Sequence, residues 1–389
     1  MKPFDDRLGE ELASLRAADL HRLRRVVTGR HGAELVVDGR RCINFCSNDY
    51  LGLAGDPRIA QAAQRALGES GTGSGAAALV SGYNAEHRQL EEALAAYTGY
   101  ARALLFSSGW AANLGVLRAL LDRDDTLVAD ELNHASLIDG GRLSGARYLR
   151  YAHADAAAAA QHLSTAKRST TTLLATDALF SMDGDCAPLA ALSASCRSAG
   201  ASLMVDDAHG FGVLGADGLG TLALARPDIY VATLGKALGV AGAFVAGSEN
   251  LIDYLVQRAR SWVFSTAPPP ALAAAARHAL GIARAEGERR ERLAQRIAEF
   301  RAGAAQRGIV LGTSATAIQP LVLGEERRAL TLSAALLARG YWVAAIRPPT
   351  VPAGTARLRI TLSAAHTGAQ VEGLLDALAA GLRELAQAA

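Results

Sequence analysis

Two pairs of polar side chains could do chemistry together. Asp206 and His209 form the first pair, and Thr233 and Lys236 form the second. Each pair comes with a short apolar run typical of a buried strand, so both pairs are expected at the same edge of one sheet. A lysine can supply the amine of a Schiff base, and a carboxylate can hold a proton on a nearby ring nitrogen.

Pyridoxal 5′-phosphate (PLP) is a cofactor whose binding site needs this set of side chains. It requires a carboxylate for the pyridine nitrogen, a lysine for the Schiff base, and donors for the phosphate and the ring hydroxyl. Asp206, Lys236, Thr233 and His209 fit those requirements in that order. Opposite charges about 4 Å apart attract by about 4 kcal/mol at an effective dielectric of about 20, enough to hold the pyridinium proton. The alternative is an aspartate and a lysine on two unrelated surface loops.

Lysine is rare in this chain. Only Lys2, Lys167 and Lys236 occur among 40 lysines and arginines. An arginine supplies charge, but its guanidinium stays protonated and cannot serve as the amine of a Schiff base. The lysine at position 236 is therefore expected to have a chemical role.

A further set of candidates follows two earlier apolar runs. Ser107-Ser-Gly-Trp110 leads from a predicted strand into a predicted helix. The N–H groups at such a helix start can hold a phosphate, and the glycine allows close approach. His134 follows the next strand, where its ring could lie over a cofactor ring. A histidine that caps a helix is the alternative interpretation of His134.

Two other patterns have alternative explanations. The segment Gly71-Thr-Gly73-Ser-Gly75 looks like a dinucleotide fingerprint, but no strand precedes it and no acidic residue ends a second strand about 20 residues later. Arg357 and Arg359 are two apart in a predicted strand and so share one face. Together they could bind a carboxylate through fork-shaped donors, or either could form a surface salt bridge.

The elements that must position these residues form an alternating pattern. Helical periodicity is clear near residues 8–23, 59–67 and 90–97. Between residues 100 and 245, apolar runs alternate with helical stretches, at 103–106, 126–129, 172–176, 202–205, 229–233 and 243–246. Such runs predict an α/β fold with a mostly parallel sheet covered by helices on both faces.

The pattern changes after Pro268-Pro-Pro270. A helical region at 271–306 precedes short β-like segments and a last helix at 368–385; the β-like segments are 318–323, 342–346 and 357–362. The sequence thus predicts an N-terminal segment (1–47), a large domain (48–270) and a smaller α+β domain (271–389).

Composition excludes several classes of function. The net charge of +2 across 389 residues offers no basic field for nucleic acid. No run of about 18 apolar residues predicts a membrane span, and the acidic N-terminus does not resemble a signal peptide. The four cysteines match neither a zinc site nor a redox pair. A cytoplasmic protein without a metal site or membrane partner is expected.

Several motifs together resemble the α-oxoamine synthases, a family of fold-type I PLP enzymes. The resemblance covers nearly the whole chain and is carried by Ser47-Asn-Asp-Tyr-Leu-Gly-Leu53, Ser81-Gly-Tyr83, Ser181-Met-Asp-Gly-Asp185, Asp206-Asp-Ala-His-Gly210 and Thr233-Leu-Gly-Lys236. It implies the PLP-dependent transferase fold, a homodimer, and condensation of an amino acid with an acyl thioester.

The resemblance also implies a role for each matched residue. Lys236 would carry PLP, Asp206 would pair with the pyridine nitrogen, and His134 would stack on the ring. Ser181 and His209 would approach the ring hydroxyl. The implied phosphate contacts are Gly109, Trp110 and Thr233, with Ser265 and Thr266 reaching the phosphate of the partner subunit. The catalytic set implied is Lys236, His134, Asp206 and His209.

Substrate contacts are implied in the same way. Asn48 and Arg359 would hold the carboxylate of the amino acid, and His134 would contact the substrate. Arg22 and Thr350 would line the site of the acyl substrate. The chain departs from the family pattern at Gly75-Ala-Ala-Ala78, where relatives usually have a Gly-Gly-Ser-like sequence, so the preference for an acyl chain is left open.

Within the family, the segment 346–359 most resembles the branch that joins L-alanine to a pimeloyl thioester in the biotin pathway. The thioester could be that of coenzyme A or of an acyl carrier protein. The nearest alternatives are the glycine-using members of the family. A non-catalytic partner subunit would lack the Schiff-base lysine, and a transcription regulator would need an added DNA-binding domain.

Overall fold

The computed structural model describes residues 3–166 and 170–387, so Lys2 and Lys167 lie outside the described residues. The chain forms two compact units. The first unit combines residues up to Asn48, Met182–Gly184 and the chain from Arg292 onward; the second combines Asp49–Ser181 and Asp185–Glu291. The three-part domain division expected from the sequence stays a prediction. No helix in the described ranges is both long enough and apolar enough to cross a bilayer.

Strands are numbered in chain order. They are β1 Val27–Thr28, β2 Glu34–Val37, β3 Arg40–Asn44, β4 Arg102–Phe106, β5 Thr126–Asp130, β6 Arg147–Tyr151, β7 Thr172–Asp177, β8 Ser202–Asp206, β9 Ile229–Thr233, β10 Ala243–Gly247, β11 Ile318–Gly324, β12 Tyr341–Trp342, β13 Ala344–Ile346 and β14 Ala356–Thr361.

Helices are numbered likewise. They are α1 Phe4–Ala17, α2 Pro57–Ser70, α3 Ala85–Thr98, α4 Gly109–Leu120, α5 Ala135–Ser144, α6 Ala156–Ser164, α7 Leu189–Ala199, α8 Glu249–Arg258, α9 Arg260–Val263, α10 Pro270–Ala285, α11 Glu288–Gln306, α12 Glu326–Ala338 and α13 Gly368–Gln387.

A seven-stranded sheet forms the centre of the second unit. Its strand order is β4-β10-β9-β8-β7-β5-β6. β10 is antiparallel to both neighbours, and the other pairs are parallel. The carboxyl ends of β4, β5, β7, β8 and β9 therefore lie at one edge of the sheet. This confirms the predicted α/β fold with a mostly parallel sheet.

Both faces of this sheet are buried, which explains the continuous apolar runs. Leu127 packs in a core with residues of α4 and α8, whereas the adjacent Val128 packs in a second core with residues of α6 and α7. Because successive side chains of a strand point to opposite faces, each strand needs apolar residues throughout.

The junction between β4 and α4 shows how a helix start is placed at the sheet edge. Ser108 lies between the two elements, and its hydroxyl accepts a hydrogen bond from Ala111 N at 3.1 Å. A serine is a favoured N-cap because its oxygen satisfies one of the helix's free N–H groups. The backbone of Gly109 and Trp110 is thereby held at the carboxyl end of the sheet.

The first unit contains two smaller sheets. Their orders are β1-β2-β3-β12 and β11-β14-β13. The predicted C-terminal β segments correspond to β11, to β12 with β13, and to β14. The helical region predicted at 271–306 is two helices, α10 and α11, which are separated near Glu286.

The buried position of His366 in the first unit predicts that acid destabilises the fold. Its ring stacks on Phe45 with centroids 4.1 Å apart, accepts from Ser363 N at Nδ1 and donates from Nε2 to Asn44 O. Burial lowers the pKa of this imidazole to about 4, whereas an unfolded histidine titrates near pH 6.5. Between these values the unfolded chain binds more protons, so the free energy of unfolding should fall as pH drops from about 6.5 to about 4.

Thermal unfolding measured across that pH window checks this expectation. The variant His366→Gln should be less stable at neutral pH but should lose stability less steeply on acidification. Equal slopes for the variant and the wild type would contradict it.

Candidate active site

Most of the predicted cofactor residues line one cavity of about 170 Å³ in the second unit. The cavity lies at the carboxyl edge of the seven-stranded sheet. Its lining residues are Gly109, Trp110, His134, Ser136, Asp177, Ser181, Asp206, Ala208, His209, Thr233 and Lys236. The structure thus brings together residues that are up to about 130 positions apart in the chain.

Lys236 lies in a tight turn between β9 and β10. Gly239 N donates to Lys236 O at 2.9 Å, and Leu234 N donates to Gly242 O at 2.9 Å. Gly239 has a φ of 67°, and a Cβ there would lie 2.3 Å from Ala54 N. Only glycine fits such a close approach with positive φ. The turn therefore fixes the backbone from which the only lysine of the described residues extends.

Thr233, the last residue of β9, stabilises the same turn. Its hydroxyl donates to Gly242 O at 2.9 Å and accepts from Gly235 N at 3.2 Å. This hydroxyl is thus part of the wall of the cavity and of the loop that carries Lys236.

Asp206 is buried at the end of β8, and its carboxylate is fixed by two donors. Asn113 Nδ2 donates to Oδ2 at 2.7 Å, and Ala208 N donates to Oδ1 at 3.0 Å. Asn113 lies on α4 and is fully buried. The sequence analysis assigned no role to Asn113, whose partner is 93 residues away.

His134 is the N-cap of α5 and is linked to the same network. Its Nδ1 accepts from Ser136 N at 3.3 Å and lies 2.7 Å from Ser136 Oγ. Asn113 Nδ2 donates to that hydroxyl at 2.9 Å. Burial lowers the pKa of His134, and the positive charge of Lys236 lowers it further. His134 thus caps a helix and also lines the cavity, while its predicted contact with a cofactor ring stays a prediction.

Asp177, at the end of β7, holds the backbone of His134 in place. Its Oδ2 accepts from His134 N at 2.6 Å, while its own N–H donates to Asn133 Oδ1 at 2.9 Å. Burial raises the pKa of Asp177 well above its usual range, and the negative charge of Asp206 adds to that rise. Perturbed pKa values of this kind cluster at functional sites. A polar residue at the end of an apolar strand was the signal that could have identified Asp177.

His209 is fixed by a tyrosine. Its Nδ1 lies 2.6 Å from Tyr50 OH, and both side chains are buried. The two residues are 159 positions apart, so the contact had no local sequence signal.

Ser265 and Thr266 do not line this cavity. They line a second one in the same unit, together with Tyr83, His87 and Glu91. Burial raises the pKa of Glu91 to about 7. The role predicted for Ser265 and Thr266 involves a partner subunit and stays a prediction.

Four of the five predicted substrate residues lie in the first unit, where they form two pairs, and the fifth, His134, lines the cavity of the second unit. Arg359 Nη1 donates to Asn48 Oδ1 at 3.1 Å, and Arg22 Nη2 donates to Thr350 Oγ1 at 3.1 Å. Arg357 forms an ion pair with Asp183 at 2.5 Å instead. Of the two arginines on that face of β14, Arg359 thus remains the candidate for a substrate carboxylate.

The residues of the cavity fit PLP. One primary amine, two buried carboxyl groups, two imidazoles, three hydroxyls and a helix N-terminus line a single space. These are the groups that an aldehyde, a pyridine nitrogen, a ring hydroxyl and a phosphate require. A Cβ at Gly109 would meet no atom within 4 Å, so the helix start is open to a ligand.

Comparisons of the sequence with known proteins indicate one family. The family model described as aminotransferase class I and II matches residues 40–378. The 8-amino-7-oxononanoate synthase of Methylococcus capsulatus is 57% identical over 373 residues, which cover 95% of this chain and 96% of that protein. That of Thioalkalivibrio sulfidiphilus is 55% identical over 381 residues, 97% of each chain.

Comparisons with solved structures indicate the same family. A serine palmitoyltransferase from S. paucimobilis with a bound PLP–myriocin aldimine matches with a TM-score of 0.93 and 28% identity over 98% of both chains. The 8-amino-7-oxononanoate synthase of Francisella tularensis matches with a TM-score of 0.76 and 30% identity over 89% of this chain and 99% of that one. The chain therefore belongs to the class I and II aminotransferase family and, within it, to the 8-amino-7-oxononanoate synthases.

Proposed function

We propose that this enzyme uses PLP to condense L-alanine with a pimeloyl thioester, giving 8-amino-7-oxononanoate for biotin synthesis. The observation that carries the proposal is the single cavity joining Lys236, Asp206, His134 and His209. The relatives above support the product, since they are named for it, and the resemblance of segment 346–359 supplies the substrate pair.

PLP, when bound, supplies a protonated pyridine ring that accepts the electron pair left at the amino acid's Cα. Lys236 would hold the cofactor through its Nζ, and the same amine, when free, would take the Cα proton of the amino acid. General bases of this kind accelerate proton transfer by about 10²–10⁴-fold. Asp206, fixed by Asn113, would keep the ring nitrogen protonated.

The remaining residues would orient the cofactor and bind its phosphate. His134 and His209 form two walls of the cavity, each held by a hydrogen bond. The N–H groups of Gly109 and Trp110 would bind the phosphate, with Thr233 beside them. In the net reaction, Cα would bond to the acyl carbonyl carbon as the thiol leaves, the substrate carboxylate would leave as carbon dioxide, and Cα would regain a proton.

The other proposed contacts concern the substrates and a second copy of the chain. Asn48 and Arg359 would bind the carboxylate of L-alanine, because an arginine matches a carboxylate through two parallel donors. A homodimer would let Ser265 and Thr266 reach the phosphate of the partner subunit. The acyl donor would be a thioester of coenzyme A or of an acyl carrier protein.

Turnover with a panel of substrates tests the proposal. Purified holoenzyme should release thiol and carbon dioxide with L-alanine and a pimeloyl thioester. Little turnover is expected with glycine and an acetyl or succinyl donor, or with L-serine and a palmitoyl donor. Preference for any of these would overturn the substrate assignment. Comparing pimeloyl-coenzyme A with a pimeloyl carrier protein identifies the donor.

Arg22→Ala is expected to raise the KM for the pimeloyl donor and leave that for L-alanine nearly unchanged. The distal carboxylate of a pimeloyl chain needs a charged partner once it leaves water. A hydrogen bond to a charged group contributes about 1.5–3 kcal/mol, so the KM should rise by about 10–100-fold. Steady-state kinetics with each substrate varied in turn measures both constants.

Arg24→Ala is the matched control, since Arg24 is an exposed arginine of the same segment. It should leave both constants unchanged. An equal rise in the donor KM for Arg22→Ala and Arg24→Ala would mean that general positive charge, and not a specific contact, attracts the donor.

A further inference from the structure

His153 lies just after β6, outside the cavity, and bridges two carboxylates. Its Nδ1 is 3.0 Å from Asp130 Oδ1, and its Nε2 is 2.8 Å from Asp185 Oδ2. Since both ring nitrogens face acceptors, both carry a hydrogen and the ring is an imidazolium. These two hydrogen bonds raise the pKa of His153 to about 10, so the ring stays charged at neutral pH.

The first arm of this bridge leads to His134. Asp130 is fully buried at the end of β5, and its carboxylate also accepts from Leu132 N at 2.9 Å and from Ala154 N at 2.8 Å. Ala154 has a φ of 56°, a conformation that a non-glycine residue keeps only when its surroundings fix it. Asp130 thus anchors both the backbone beside His153 and the loop that ends at His134.

The second arm leads to Ser181. Asp185 O accepts from Phe180 N at 2.9 Å, and this bond closes the loop that begins with Ser181. The His153 ring packs edge-on against Phe180, with centroids 4.4 Å apart. Asp185 Oδ1 is buried and has no hydrogen-bond partner among the described residues. The charge of Asp185 is therefore compensated mainly through its bond to His153.

We propose that His153 is a positioning residue whose imidazolium ties the loop of His134 to the loop of Ser181 and so fixes two walls of the cofactor cavity. The inference rests on the proposed function, because His134 and Ser181 are cofactor contacts there. It adds a residue that lies outside the cavity and touches neither cofactor nor substrate.

The charge of the ring is essential to this role. A neutral side chain would leave two carboxylates facing each other without their shared cation, one of them fully buried. An uncompensated buried charge is strongly unfavourable, so the loops would move to admit water or a proton. Displacement of about 1 Å in catalytic groups can lower the rate about 100-fold.

The variant His153→Gln tests the proposal, with His162→Gln as the matched control: His162 is a half-buried histidine of α6 whose Nε2 lies 3.2 Å from Arg150 O. Three quantities are measured: the melting temperature of the apoenzyme, the Kd for PLP from absorbance titration, and kcat with PLP saturating. We expect His153→Gln to weaken PLP binding and, with PLP saturating, to lower kcat by about 100-fold. The control should match the wild type.

A purely structural role predicts something different: a lower melting temperature with an unchanged kcat once PLP is saturating. That result would overturn the proposal. If His153→Gln does not fold, Asp185→Asn removes the charge of the half-exposed arm only and should lower kcat in the same direction. An unchanged kcat in Asp185→Asn would overturn it too. Failure of the wild type to bind PLP would instead refute the proposed function.

Discussion

Lys236→Ala is expected to abolish turnover while leaving the protein folded and able to bind PLP without a covalent bond. The side chain extends from a turn whose backbone hydrogen bonds do not involve Nζ, so its removal should not disturb the turn. The variant loses both the covalent attachment and the general base. Loss of the base alone costs about 10²–10⁴-fold in rate, and the loss of both should exceed this.

Borohydride reduction of the wild-type holoenzyme, followed by peptide mapping, locates the attachment. The label should be on the peptide that contains Lys236. Lys2 and Lys167 are the only other lysines of the chain, which makes the result unambiguous. Label on either of them would refute the assignment.

Lys236→Arg is the charge-matched control. The guanidinium keeps the positive charge that lowers the pKa of His134, but it cannot form the covalent bond or accept the Cα proton. We expect this variant to be as inactive as Lys236→Ala. Substantial turnover in either variant would mean that another group is the base.

The central sheet was the most predictable part of the fold, because its strands are buried on both faces. All six apolar runs between residues 100 and 245 are strands. β6 was missed, since it lies at the edge of the sheet and its sequence Arg-Tyr-Leu-Arg-Tyr mixes charged and apolar residues. β1 to β3 were missed for a similar reason: they are short and half-exposed.

Candidate residues could be predicted where a polar side chain lies at or shortly after the end of a strand. Asp206 and Thr233 are the last residues of β8 and β9, Lys236 is three residues beyond β9, and His134 is four residues beyond β5. The residues that hold them in place could not be predicted in the same way. Asn113 and Tyr50 act on partners 93 and 159 positions away, and only the fold brings them together. Sequence position thus indicates candidate reacting groups better than it indicates the residues that hold them in place.

Asp206→Asn is expected to slow Cα proton exchange in L-alanine steeply while the fold is retained. The substitution keeps the shape of the side chain but removes the negative charge that we propose keeps the ring nitrogen protonated. Removing one preorganised electrostatic group from an active site typically costs on the order of 10²–10³-fold in rate. We expect a loss in that range.

The local hydrogen bonds can adapt to the new amide. Its oxygen can still accept from Ala208 N. Asn113 Oδ1 is buried and has no partner among the described residues, so it can accept from the new NH₂ group if the Asn113 amide rotates. The melting temperature should therefore change little, and a loss of activity would report charge rather than unfolding.

Hydrogen–deuterium exchange at the Cα of L-alanine, followed by NMR without a thioester donor, isolates this step from acyl transfer. Asp124→Asn removes an equal charge from an exposed turn of the same unit and should exchange at the wild-type rate. Asn113→Ala should give an intermediate rate, because it frees the carboxylate but keeps its charge. Near-normal exchange in Asp206→Asn would refute the role of this carboxylate, even if overall turnover fell.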